Sequence, residues 1–236
     1  MRFRTVLIWI SIFSIAMAFL ESSVVVYLRE IMYPEGFSFP LATFEGHLAV
    51  TEILREISTL VMLASVAFIA GRAFSRSLAW FVYSFAIWDI FYYAFLKLLI
   101  DWPSSFLDWD ILFLLPVTWT GPVLSPLLVC VLMISLAGVI LYYSYRGVYT
   151  RLKASEWLIL IAGALVVVVS FTWDYSGYIL ERYSLSDIWN MPLDGSLLEY
   201  AAGYIPRSFN WWLFGAGNLV VVSAIILIYR RFRLKS

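Results

Sequence analysis

The sequence predicts an all-α integral membrane protein: one polytopic transmembrane domain over residues 1–236, with six transmembrane helices and both termini cytoplasmic. Three observations predict it. Hydrophobic residues make up 63% of the chain and charged residues 14%, with a mean hydropathy of +0.88, where soluble chains have about 45–50% and about 25%. Six apolar runs are each long enough to cross about 30 Å of hydrocarbon. The basic residues, finally, are concentrated in alternate connections between those runs. No polar stretch is long enough to build a separate soluble core.

The first run, Thr5–Leu28, follows Met1-Arg-Phe-Arg and passes Ala16-Met17-Ala18, a sequence that imitates a cleavage site. It continues through Val24-Val25-Val26, past the length of a signal-peptide core, and is read as a retained helix. The others are Thr51–Gly71, Leu78–Ile100, Val123–Tyr145, Glu156–Leu180 and Trp211–Tyr229. Between the third and fourth lies Trp109–Pro126, interrupted by Pro116, Gly121, Pro122 and Pro126. It is too broken to span and too apolar for a free loop. A re-entrant or interfacial segment near 109–122 is expected, or else a surface helix leading into the fourth span.

Orientation follows from charge. Arg2, Arg4, Arg72, Arg76, Arg146, Arg151, Lys153, Arg230, Arg231, Arg233 and Lys235 fall on one side, with Glu156 as the acid among them. Arg29, Lys97, Arg182 and Arg207 fall in the opposite loops beside most of the acids. The positive-inside rule places the first set in the cytoplasm, the expected location being a plasma (inner) membrane. The outer loops carry Trp102-Pro103, Trp109, Trp119, Trp189, Met191-Pro192 and Trp211-Trp212. Most of these rings read as an interfacial aromatic belt.

Ionisable residues inside spans usually face a bundle interior, a partner or a wet cavity. This chain has Glu21, Glu52, Arg55, Glu56, Asp89 and Asp174, with Asn218 as a neutral companion. At about 1.5 Å per residue, Glu21, Glu56 and Asp174 lie about 10 Å below the outer ends of their helices and Asp89 about 16 Å. All fall in the outer half or near the centre. Glu52, Arg55, Glu56 and Thr59 share one helix face, which Glu45 would extend outward. Asp89, Tyr92, Tyr93 and Lys97 form a stripe on the third helix, and Asp174, Gly177, Tyr178 and Glu181 one on the fifth. Converging, these faces would enclose an outward-facing cavity of carboxylates, tyrosines and tryptophans.

Arg55 can pair with only one or two of these acids. The others must then hold a proton, a cation or a cationic ligand. Alternatively, Arg55 with Glu52 or Asp89 simply locks the helices in register. His47 reads as a loop-surface residue and Cys130 as a packing or lipid-facing one. Asp101, Asp108 and Asp110 read as surface charge.

One histidine and one cysteine exclude a bis-histidine haem anchor and an internal disulfide. No metal site and no cofactor are expected. Sixteen basic and sixteen acidic residues give zero net charge, so nothing points to nucleic acid. Glu52 and Glu56 are spaced like the paired glutamates of undecaprenyl-diphosphate phosphatases, but the glycine-, serine- and arginine-rich phosphate loop is missing. No internal repeat of the kind found in many transporters is visible.

Three functions therefore compete. The first is a small transporter, or a ligand-, cation- or proton-binding subunit, with an outward-facing acidic and aromatic pocket. The second is an accessory structural subunit docked in the bilayer on other membrane proteins. The third is a cofactor-free enzyme acting on an isoprenoid-like lipid by carboxylate acid–base chemistry, with aromatic faces steadying a developing cation.

Overall fold

The computed structural model describes residues 3–42, 46–115, 117–188 and 195–235. Arg2, Glu45, Pro116, Trp189, Met191 and Pro192, which figure in the sequence expectations, lie outside the described residues.

Six helices are long and apolar enough to cross a membrane: α1 (Phe3–Met32), α2 (Gly46–Gly71), α3 (Phe74–Ile100), α4 (Leu124–Tyr145), α5 (Ala154–Leu180) and α8 (Trp211–Arg233). The short α6 (Leu185–Ile188) and α7 (Gly195–Ala202) lie between α5 and α8. Most large apolar side chains on the outer surface, such as Trp9, Leu20, Ile69, Leu98, Leu165 and Leu219, are exposed. A helix surface of this kind is stable in lipid, where apolar exposure carries no cost.

Helix α3 is the centre of the bundle: α1, α2 and α4 all pack on it, α8 packs on α4, and α5 on α8. Small residues permit the closest approaches. Ser14, Ala18 and Ser22 of α1 are fully buried, and the Ser22 hydroxyl donates to its own helix at Ala18 O (2.7 Å) and to Tyr92 O of α3 (3.1 Å). Between α5 and α8, a Cβ added at Gly163 would lie 3.0 Å from Val221 N, and one at Gly217 would lie 2.9 Å from Val167 N. Those two glycines thus let the backbones touch, and both helices run unbroken through them.

The two ends of the bundle differ. The start of α1, the end of α8 and the α2–α3 and α4–α5 connections share one end, called here the basic end. There Trp80, Ile140, Ile228 and Phe232 are fully buried in one continuous core. Glu156 accepts from Arg231 Nε (2.6 Å) and Nη2 (2.7 Å) and from the Lys153 N–H (2.8 Å), which caps α5 and ties it to α8.

The opposite end carries the departure from expectation. Two strands there pair antiparallel as a hairpin, β1 (Trp109–Phe113) and β2 (Trp119–Pro122), with a register shift between Ile111 and Phe113. Paired strands overturn the expected alternative of a surface helix and add a small sheet to an otherwise all-α fold. Aromatic and β-branched residues at 109, 111, 113, 119 and 120 favour strands, and pairing satisfies backbone groups that an apolar loop would leave bare. A Cβ at Gly121 would press on Phe209 and Ser125 at 3.1 Å, so glycine seats the hairpin against the helices.

Candidate functional site

Beneath the hairpin lies a cavity of about 470 Å³. Helices α1, α2 and α3 wall it, and the hairpin, the segment after α1, Tyr175 of α5 and α7 cover it. Helix periodicity explains the α1 wall: Glu21, Val25, Leu28, Arg29 and Met32 all line the cavity at spacings that share a face. On α2 the lining residues Glu52, Arg55, Glu56 and Thr59 do the same.

Five carboxylates line this space, those of Glu21, Glu52, Glu56, Asp89 and Asp110, with two arginines, Arg29 and Arg55. Arg55 serves two acids. Its Nε donates to Glu52 Oε2 (2.7 Å), and its Nη1 pairs with Glu21, whose other oxygen accepts from the Thr59 hydroxyl (3.1 Å). Glu56, 7% exposed, takes the backbone N–H of Leu114 on both oxygens (3.2 and 3.0 Å). That bond pins the strand connection to α2.

Arg29 and Asp110 form a second, deeper pair, 8% and 2% exposed. Arg29 Nη2 donates to Asp110 Oδ1 (3.0 Å), and the Tyr93 hydroxyl donates to Oδ2 (3.2 Å). The guanidinium lies against two rings, 4.3 Å from the Phe37 centroid and 3.8 Å from that of Trp102. Burial pushes the Asp110 carboxyl above the ordinary aspartate range, while Arg29, the Ile111 backbone and Tyr93 pull it down. The pair fastens the hairpin to α1.

Asp89 differs from the other four. The Cys130 thiol donates to its Oδ2 at 3.1 Å and links α3 to α4. Asp89 is half-buried, open to the cavity, and beside Trp88 and Tyr92, whose rings stack at 6.3 Å and 27°.

Of the residues singled out from the sequence, the structure brings Glu21, Glu52, Arg55, Glu56, Asp89 and Tyr92 onto this one cavity. Tyr93 stands behind it, holding Asp110. Lys97 points away and pairs with Asp101 on the surface (2.7 Å). Asp174 belongs to a separate set: it accepts from the Tyr204 hydroxyl (2.7 Å) and the Arg207 N–H (2.9 Å), and Tyr204 in turn meets Thr120 of β2 (3.1 Å). Burial and the neighbouring Asp174 charge hold the Tyr204 phenol in its protonated form. Tyr178 stacks on Tyr200 at 4.7 Å and donates to Tyr200 O (2.9 Å), orienting α7. Asn218 donates to Phe214 O of its own helix (2.7 Å).

One expectation is corrected. Asp110 is a buried hairpin residue, whereas Asp101 is exposed and Asp108 accepts from Ser104 and Ser105 near the surface. Cys130 is buried inside the bundle, as its packing reading expected, and its thiol also donates to a carboxylate. Arg29 and Asp110 are the site residues that sequence reasoning missed. Their signals were the Glu21-to-Met32 spacing and the strand-like composition of 109–120. Among the described residues, no group of three histidine, cysteine, aspartate or glutamate side chains could hold a metal ion.

No known protein family, curated protein or solved structure matches this chain.

Proposed function

We propose that this protein is a ligand-binding subunit of the plasma membrane whose cavity takes up a small cation, or a ligand together with a proton, from the outer face. One observation carries this reading: five carboxylates and two arginines line one 470 Å³ cavity. A purely structural polar cluster would balance its charges, because each uncompensated ion away from water is costly. Here the acids exceed the cations by three, and a positive ligand or protons make up the difference.

The side follows from charge. Among the described residues, ten basic ones gather at the opposite end of the bundle, so the positive-inside rule directs the cavity outward. Binding is favoured over carriage by the helices themselves. All six run unbroken, whereas many carriers hold their substrate at interrupted helices.

Native mass spectrometry of the protein released from its own membrane tests the reading. The expected result is a reproducible small-molecule mass that disappears in Ala49→Trp, which fills the cavity from α2. Stoichiometric partner proteins without such a mass would overturn it in favour of an accessory subunit. A mass that survives Ala49→Trp would place the ligand elsewhere.

A further inference from the structure

We infer that the ligand of the cavity is an amphipathic organic ammonium ion, seated with its nitrogen at Asp89 beside the stacked rings of Trp88 and Tyr92 and its apolar part beneath the hairpin. This rests on the binding reading above and names the ligand class.

The inference comes from following each carboxylate to its partner. Glu21 and Glu52 share Arg55, and Glu21 also takes Thr59. Glu56 spends both oxygens on the Leu114 N–H. Asp110 is held by Arg29 and Tyr93. Asp89 faces the cavity with the Cys130 thiol, a weak donor, as its hydrogen-bond partner among the described residues. It is therefore the cavity acid with room for an incoming cation.

The surroundings choose the kind of cation. A hard metal ion requires several oxygen ligands converging on one point, and the other four acids are engaged with protein donors. An ammonium group needs one carboxylate and aromatic rings, and Trp88 and Tyr92, stacked on one another, line the cavity from the same helix as Asp89. The rest of the lining is largely apolar, with Val25, Ile53, Ile111 and Leu114 among it. Its volume lies in the range of about 300–1,000 Å³ typical of sites for organic molecules. A bare proton would leave that apolar space without a role.

The test uses the full chain in dodecyl maltoside micelles, with octylammonium, octanol and octanoate as probes and tryptophan fluorescence as the readout, corrected against empty micelles. Octylammonium is expected to bind saturably, with octanol and octanoate about tenfold or more weaker. Asp89→Asn should remove that preference, Asp89→Glu should keep it, and Tyr92→Leu should weaken octylammonium alone. Added phosphatidylcholine separates the two sources of such a group: it displaces octylammonium if the natural ligand is a lipid headgroup and leaves it bound if the ligand is a free amine. Equal binding of octanol, unchanged in Asp89→Asn, would overturn the ammonium assignment and leave the binding cavity standing. Failure of all three probes to bind would overturn the assignment too, and the absence of an Ala49→Trp-sensitive mass would then remove the cavity reading as well.

Discussion

The basic end and the hairpin end of this bundle bury charge in different ways. At the basic end, one acid, Glu156, meets Arg231 through two hydrogen bonds and also caps α5, and the surrounding core is closed. Each partner is used, and no acid is left over. At the hairpin end, two arginines and five acids line one cavity. Both ends fasten helices together, so fastening alone does not account for the extra carboxylates. On the binding reading proposed above, the difference separates charge that fixes register from charge kept for a ligand.

The largest expected effect tests whether the hairpin end also has a structural part. Arg29→Ala leaves Asp110 buried without its cation, and breaking a buried pair in this way costs about 3–5 kcal/mol. Thermal unfolding in detergent should show it, with the double variant Arg29→Met/Asp110→Leu recovering much of the loss. The pH dependence has a defined sign. Asp110 already lies above its ordinary value of 3.8, and losing Arg29 raises it further. A folded-state carboxyl that binds its proton more tightly than in the unfolded chain stabilises at low pH and loses that contribution as pH rises. The Arg29→Ala variant should therefore regain stability as pH falls from the raised folded-state value towards 3.8. An unchanged melting temperature at neutral pH would show that the hairpin is held without this pair.

A smaller effect is expected where no charge is involved. At Gly163 or Gly217 a valine would push against backbone atoms of the facing helix, and overpacking of this kind costs about 1–3 kcal/mol. At Gly138 of α4 an added Cβ meets nothing within 4 Å, so Gly138→Ala should hold stability or raise it by up to about 1 kcal/mol. Melting temperatures of Gly163→Val, Gly217→Val and Gly138→Ala check the contrast. If Gly163→Val melts like the unaltered protein, the α5–α8 contact is looser than the glycine clearances require.

How much of this was legible in the sequence depended on whether local period or tertiary pairing carried the information. The stripe Glu52-Arg55-Glu56-Thr59 was readable because helical spacing reports a shared face wherever the helix goes. The six long helices were readable because hydrocarbon thickness sets their length. Partners were not. Period alone could not tell that Asp174 faces Tyr204 and Arg207 beside β2, since nothing local states that α5 packs on α8. Arg29 read as an outer-loop charge, because it follows the last apolar residue of its run, yet α1 continues to Met32. Asp110 read as surface because two neighbouring aspartates are surface. Strand formation, which buries alternate residues, separated it from them.

Lys97 gives the smallest expected effect and tests the edge of the cavity. It was grouped with Asp89, Tyr92 and Tyr93, but eight residues of α-helix turn it about 80° away from Asp89. The structure pairs it with exposed Asp101, at 2.7 Å, on the surface. Exposed ion pairs contribute little to stability. Lys97→Ala should therefore leave both the melting temperature and octylammonium binding unchanged, whereas Asp89→Asn, two turns deeper on the same helix, changes binding. If Lys97→Ala alters binding, the positive charge acts on the cavity mouth, and the boundary between the polar interior and the surface lies further out than the lining residues place it.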